Sequence, residues 1–258
     1  MSILFSDLDN TLIYSHHRQI GKSKIVVEHL EGKEQSFMTR FAYDFFSTAF
    51  WLSIIPVTTR TEQQYKRIEC TSSLRIKYAI VCNGGKLLVD GKEDKEWSYG
   101  TYIRTRDHYD SLEDATERLS VLCKKNIVHR PEKYMTYVKC CDPESVYEAL
   151  ISQVDPERVN IQKDERKVYL FANGITKGSA VERFRKKMKT GVVFAAGDSF
   201  MDISMLNKAD YAFASPDIYE YVTSRNKIKI ERDLFSDGIC KYMCEMNNEQ
   251  KRRSVDYD

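Results

Sequence analysis

The chain has 258 residues, 42% of them hydrophobic and 30% charged, with a formal net charge of +2. It is long and apolar enough to bury a core, too apolar for wholesale disorder, and without a global basic field for nucleic acid. No long apolar run occurs, so neither a membrane span nor an export signal is expected.

In chain order, Ile3-Leu4-Phe5 predicts a first buried strand that stops at Asp7. The aromatic stretch from Phe37 to Phe50 has helical spacing and predicts a helix packed on the sheet. Leu52 to Val57 predicts a second strand, ending at Thr58-Thr59-Arg60, and Glu62 to Cys70 the helix after it. Tyr78 to Val81 predicts a third strand, ending at Cys82-Asn83-Gly84-Gly85, where the paired glycines mark a turn or hinge. Lys86 to Val89 and Trp97 to Ile103 read as extended segments. Ser111 to Lys125 predicts a helix capped by Ser111. A hairpin follows, Ile127 to Arg130 with Tyr134 to Cys140, across Pro131-Glu132-Lys133. Asp142-Pro143 opens a second helix to Val154, and Arg158 to Gln162 with Lys167 to Ala172 form a second hairpin. Lys177 to Met188 predicts a helix, and Gly191 to Ala196 and Tyr211 to Ala214 two last strands, the first ending at Gly197-Asp198.

The alternation of strands and helices predicts a parallel, doubly wound α/β sheet over residues 1–84 and 172–258. The helix-strand-strand pattern, met twice, predicts an inserted α+β domain over residues 85–171. Seven cysteines without a CxxC pair suit reduced thiols in a cytoplasmic protein and give no structural zinc spacing.

In parallel sheets, polar residues at the carboxyl ends of strands line the site. Here those ends carry Asp7, Asp9, Thr58, Arg60, Asn83 and Asp198. Asp7 and Asp9, two residues apart, need a cation or a proton to offset their repulsion, and Mg²⁺ suits an all-oxygen site. Lys177, Asp198 and Asp202 complete a set of charges suited to phosphoryl transfer.

Four segments then resemble, in order, the motifs of the haloacid dehalogenase (HAD) superfamily of aspartate-nucleophile phosphatases: DLDNT, VTTR, TKG and GDSFMD. The insertion between the second and third is similar to the type C2B cap of subclass IIB, found in sucrose-phosphate, trehalose-phosphate and mannosyl-phosphoglycerate phosphatases. The resemblance implies that Asp7 is the nucleophile, forming an aspartyl phosphate, and Asp9 the general acid and base. It implies that Thr58 bonds the phosphoryl group and Lys177 neutralises it. It further implies Mg²⁺ on the Asp7 carboxylate, the Asp9 carbonyl and the Asp198 carboxylate, with Asp202 behind. Asn10 stands where many relatives have Gly; Asn tolerates unusual backbone angles. Arg60, Asn83, Lys133, Tyr134 and Lys139 are candidate substrate contacts. The expected activity is Mg²⁺-dependent hydrolysis of a small phosphorylated metabolite, with a sugar phosphate as leading class. A phosphomutase using the same nucleophile, or a non-catalytic binding protein on the same scaffold, are the alternatives. Neither nucleic acid nor membrane is expected as a partner, and the oligomeric state is not legible.

Overall fold

The computed structural model describes residues 2–188, 190–231 and 234–255. Strand β1 (Ser2–Ser6) runs through the middle of the main sheet, with Leu4 buried on one face and Phe5 on the other. Next come β2 (Tyr14–Ser15), β3 (Lys24–Leu30), β4 (Lys33–Thr39), α1 (Arg40–Thr48), β5 (Leu52–Pro56) and α2 (Glu62–Tyr65). They are followed by β6 (Tyr78–Val81), β7 (Lys86–Val89), β8 (Lys92–Glu93), α3 (Lys95–Thr105) and α4 (Tyr109–Leu122). The middle of the chain ends with β9 (Val128–Glu132), β10 (Met135–Lys139), α5 (Pro143–Ile151), β11 (Val159–Lys163) and β12 (Lys167–Ala172). The last third holds α6 (Lys177–Met188), β13 (Val193–Gly197), α7 (Ile203–Leu206), β14 (Tyr211–Ala214), β15 (Lys227–Lys229) and α8 (Phe235–Val255).

The main sheet has the order β15-β14-β13-β1-β5, and every neighbouring pair is parallel. One face packs Leu4, Ile54, Phe194 and Phe213 against Phe46 of α1 and Ile239 and Met243 of α8. The opposite face packs Phe5, Ile55 and Ala195 against Val181 and Phe184 of α6 and Leu206 of α7. Helices thus cover both faces, the doubly wound arrangement that continuous apolar strands require. The chain reaches β5 on one side of β1 and returns on the other side as β13, so the strand order reverses between β1 and β13. Loops leaving two strands at such a point diverge and open a crevice.

A second, antiparallel sheet has the order β11-β12-β10-β9. Val138, Val168 and Leu170 pack with Leu112, Ala115 and Leu119 of α4 and Leu150 of α5. Strand alternation turns Tyr137, Lys167, Tyr169 and Phe171 to the other face. That face meets the main domain: Gln64 Nε2 of α2 lies 3.5 Å from the Tyr137 hydroxyl. The fold is therefore an α/β core with a separate α+β cap.

Several elements differ from the sequence expectation. Phe37 belongs to β4, and the helix starts only at Arg40, because Thr39 is extended and its hydroxyl accepts the Ala42 N–H at 3.0 Å. Helical spacing of the phenylalanines conceals a strand that runs straight into a helix. Residues 97–103 are helical: Asp94 accepts the Trp97 N–H at 2.9 Å, and Trp97, Thr101 and Thr105 are buried four residues apart. Aromatic and β-branched content favours a strand here, but burial has the helical period. Helix α4 begins at Tyr109, so Ser111 lies inside it. The third apolar run, β6, pairs antiparallel with β7 and borders the main sheet through the Val57–Ile80 bridge instead of joining it as a strand.

Candidate active site

Asp7 leaves β1 with its N–H donated to the Ala196 carbonyl of β13 at 3.0 Å. Neighbouring strand ends thereby bring Asp7 and Asp198 together. Lys177 is the first residue of α6, where Thr176 and Ser179 cap the helix reciprocally: Ser179 N–H to Thr176 Oγ1 at 3.0 Å and Thr176 N–H to Ser179 Oγ at 3.1 Å. The Lys177 ammonium, 2% exposed, donates to Asp7 Oδ1 and to Asp202 Oδ1, each at 2.6 Å. Asp202 is fully buried, and its Oδ2 accepts the Ser199 N–H at 3.0 Å and the Ser199 hydroxyl at 2.7 Å. Asp202 fits beneath β13 because Gly197 has no side chain: a Cβ there would stand 2.3 Å from Asp202 Cβ. Thr11 donates to Asp198 Oδ1 at 2.7 Å, and Ser215 to the Asp198 carbonyl at 2.8 Å. Asn10 has φ 62°, a left-handed turn that Asn accepts readily.

The electrostatics follow from burial. Burial pushes the Asp7 carboxyl well above the usual range; Lys177 opposes this, while Asp202, Asp198 and Asp9 add to it. Asp198 is pushed up to about 7, first by burial and then by Asp202. For Lys177 burial works downward, but the charges of Asp202 and Asp7 outweigh it and hold the ammonium above its ordinary value. One cation therefore faces three carboxylates whose oxygens lie within 4.8 Å of one another, those of Asp7, Asp198 and Asp202. Asp202 has both oxygens engaged by Lys177 and Ser199. Asp7 and Asp198 each have one oxygen engaged, which leaves the other for a hard cation. Such oxygen donors with excess negative charge fit Mg²⁺.

Asp9 lies on the other side of the crevice, its side chain half exposed. Arg60 holds it with a two-pronged contact, Nε to Oδ2 at 2.9 Å and Nη2 to Oδ1 at 2.8 Å. Burial works to raise the Asp9 pKa, but the hydrogen bonds and charge of Arg60, with Lys167 and Lys177, bring it below its ordinary value. Thr58 is buried, its hydroxyl accepting the Arg60 N–H at 3.1 Å. Its carbonyl accepts the Asn83 N–H at 2.9 Å, which sets Asn83 beside the second strand end. The Asn83 side chain is fully buried, and neither of its polar atoms has a partner among the described residues. Gly84, at φ 108°, follows: a Cβ would come 2.8 Å from the Thr176 carbonyl, so this turn packs directly on the start of α6.

The crevice therefore gathers Asp7, Asp9, Thr58, Arg60, Asn83, Lys177, Asp198 and Asp202. The three cap residues singled out from sequence lie elsewhere. Tyr134 is buried against Gly85 and Cys82 at the junction with the core, while Lys133 and Lys139 are exposed at the two ends of β10. On the cap face turned to the core, the charge of Lys167 reaches Asp9, and the Tyr169 hydroxyl is held by Lys167 at 3.1 Å and Asp164 at 3.0 Å. The strand alternation of 167–171 was the available signal. Thr11 and Ser199 sit inside the recognised motifs and buttress Asp198 and Asp202. Glu28, which binds Arg60, carried no signal, because the β3–β4 hairpin was not legible.

Residues 94–243 match the family profile described as haloacid dehalogenase-like hydrolase. The chain belongs to this family. No curated protein matches it in sequence. Among solved structures it is similar to the sucrose-phosphatase from Synechocystis sp. PCC6803 in complex with sucrose and phosphate. That likeness has 15% identity and a TM-score of 0.61 over 95% of this chain and 97% of that one. The HAD subclass IIB sugar phosphatase BT4131 is similar at 14% identity and a TM-score of 0.63, covering 96% and 99%. A trehalose-6-phosphate phosphatase related protein is similar at 15% identity and a TM-score of 0.55, covering 96% and 99%. At these identities the likeness is one of fold, and function rests on the site.

Proposed function

We propose that this haloacid dehalogenase-like hydrolase is a Mg²⁺-dependent phosphatase that cleaves small phosphomonoesters through an aspartyl phosphate on Asp7. The observation that carries the reading is the buried Asp7 carboxylate, bonded at 2.6 Å to Lys177 at the point where the strand order reverses. An oxygen of Asp7 attacks phosphorus while the bond to the leaving oxygen breaks, and Asp9 gives that oxygen its proton. Water then attacks the same phosphorus, Asp9 takes a proton from it, and the bond to Asp7 breaks to release phosphate. Lys177 and the Thr58 hydroxyl balance the charge of the transferring group. Asn83, with its buried unpartnered amide, is a further phosphate contact. Asp7, Asp198 and the Asp9 carbonyl would hold Mg²⁺, which supplies positive charge to the phosphoryl oxygens when bound; Asp202 keeps Lys177 in place.

Residues 85–171 form the proposed cap, tied to the core at its start by Leu87 and Trp97, which pack with Phe184. An open groove lies between α2 and the β9–β10 hairpin; it starts at Thr61, just past the Thr58–Arg60 turn, and none of Asp7, Asp9, Thr58, Lys177 or Asp198 lines it. Its wall stacks His129 on Tyr137 at 4.8 Å, and Gln63, Gln64 and Glu62 line the opposite side. A sugar phosphate is supported by the structural neighbours, one a sucrose-phosphatase holding sucrose and phosphate and another a sugar phosphatase. The test is a panel of phosphorylated sugars with Mg²⁺ and analysis of the products. Free phosphate with the dephosphorylated sugar supports the hydrolase; an isomeric phosphate ester would make the protein a mutase; binding without turnover would make it a binding protein.

A further inference from the structure

Glu28 has no part in the reaction above, yet it is the carboxylate most fully enclosed by cations in the molecule's described side chains. Val27 and Glu28 are buried one after the other in β3, against the alternation of a regular strand. The pairing of β3 with β4 slips between Val26 and Glu28 and again between Glu28 and His29. Bulges of this kind re-aim a side chain. Here the bulge turns Glu28 into the core, where it is 0% exposed.

Its partners are specific. Ser36 Oγ donates to Oε2 at 2.6 Å, Arg67 Nε donates to Oε1 at 2.8 Å, and Arg60 Nη1 lies 3.0 Å from Oε2 as a charge contact. Arg60 presents its Nε–Nη2 edge to Asp9 and its Nη1 end to Glu28. A guanidinium is planar and rigid, so fixing one end fixes the other. Arg67, Glu28, Arg60 and Asp9 form a chain of alternating charge. A staple holding the hairpin to the core would need only the Arg67 contact. The second contact reaches the one side chain assigned to proton transfer.

We propose that Glu28 is a positioning residue: acting through Arg60, it holds the Asp9 carboxyl where the leaving oxygen receives its proton. The Arg60 fork grips both oxygens of the Asp9 carboxyl and so fixes its orientation. The proposal rests on the phosphatase reading of Asp9, and the leaving group separates the two.

The test compares kcat/KM for p-nitrophenyl phosphate, whose leaving group departs without a proton, and for an alkyl phosphate such as a hexose 6-phosphate, which needs one. The enzymes are wild type, Glu28→Gln and Arg60→Lys, the last keeping its charge beside Glu28 but losing the fork. Thermal midpoints are recorded for each. Because kcat/KM covers substrate binding and the first phosphoryl transfer, it excludes hydrolysis of the aspartyl phosphate. Both variants should lose about 100-fold on the alkyl ester, the lower range of acid catalysis, and only a few-fold on the aryl ester. An equal loss on both esters in Arg60→Lys, or a lowered midpoint with no selective loss in Glu28→Gln, would make the network a structural staple and overturn the proposal. Wild-type turnover of neither ester would overturn the phosphatase reading and the positioning role with it.

Discussion

At the scale of single residues, the site is a problem of charge balance. Among the described residues Lys177 is the cation paired with Asp7 and Asp202, and it holds the two together. Removing one partner of a buried pair leaves uncompensated charge and costs about 3–5 kcal/mol. Lys177→Met should therefore lower the thermal midpoint as well as abolish turnover, whereas Asp7→Asn removes a negative charge from an excess and should leave the midpoint unchanged or higher. Differential scanning calorimetry of the two variants checks this; a Lys177→Met protein as stable as wild type would contradict the account. The acidic set was legible in the sequence because its members sit in short motifs at strand ends. Thr11 and Ser199 lay in those motifs without a role, since nothing in the sequence tells which carboxylate oxygen a nearby hydroxyl will meet. Glu28 was not legible at all: its burial depends on a bulge, which follows from pairing between β3 and β4.

At the scale of elements, the site depends on close approach of backbone segments. Gly197 at the end of β13 admits the Asp202 side chain, and Gly84 seats the turn after β6 on the start of α6. Gly197→Ala would push Asp202 away from Ser199 and loosen Lys177. Overpacking of this kind costs about 1–3 kcal/mol. The variant should also lose turnover with little change in KM, because the displaced groups act on the transferring phosphoryl group. Urea unfolding with steady-state kinetics reads both, and an unchanged kcat would contradict the placement of Asp202. Strand ends and helix starts near the motifs were readable, because apolar runs closed by Gly, Asp or Thr have few alternatives. The helical spacing from Phe37 to Phe50 holds over Arg40–Thr48 but hides the strand before it, and from Trp97 to Ile103 composition opposes period. A cap hydroxyl on Thr39 ends the strand in the first, and Asp94 starts a helix in the second.

At the scale of the whole molecule, a core and a cap meet over a crevice, and the reading requires that crevice to bind a cation. Among the described residues no helix is long and apolar enough to cross a membrane. A ligand that binds only the native state raises stability by about 2.7 kcal/mol at one hundred times its dissociation constant. Mg²⁺ should raise the thermal midpoint of the wild type, and Asp198→Ala should remove most of that rise. A wild type indifferent to Mg²⁺ would contradict the proposed site. The plan of an α/β core with an α+β cap was legible from chain order. How the cap sheet docks was not: the side chains facing Asp9 are set by which face of β10 and β12 turns inward, and Lys167, on that face, acts on Asp9. The central claim is that Asp7 carries the phosphoryl group. Rapid acid quench of the Asp9→Asn enzyme with a radiolabelled aryl phosphate, followed by peptide mapping, tests it most directly. The label should accumulate on the peptide containing Asp7 and be absent from Asp7→Asn; label on another residue, or undiminished turnover in Asp7→Asn, would contradict it.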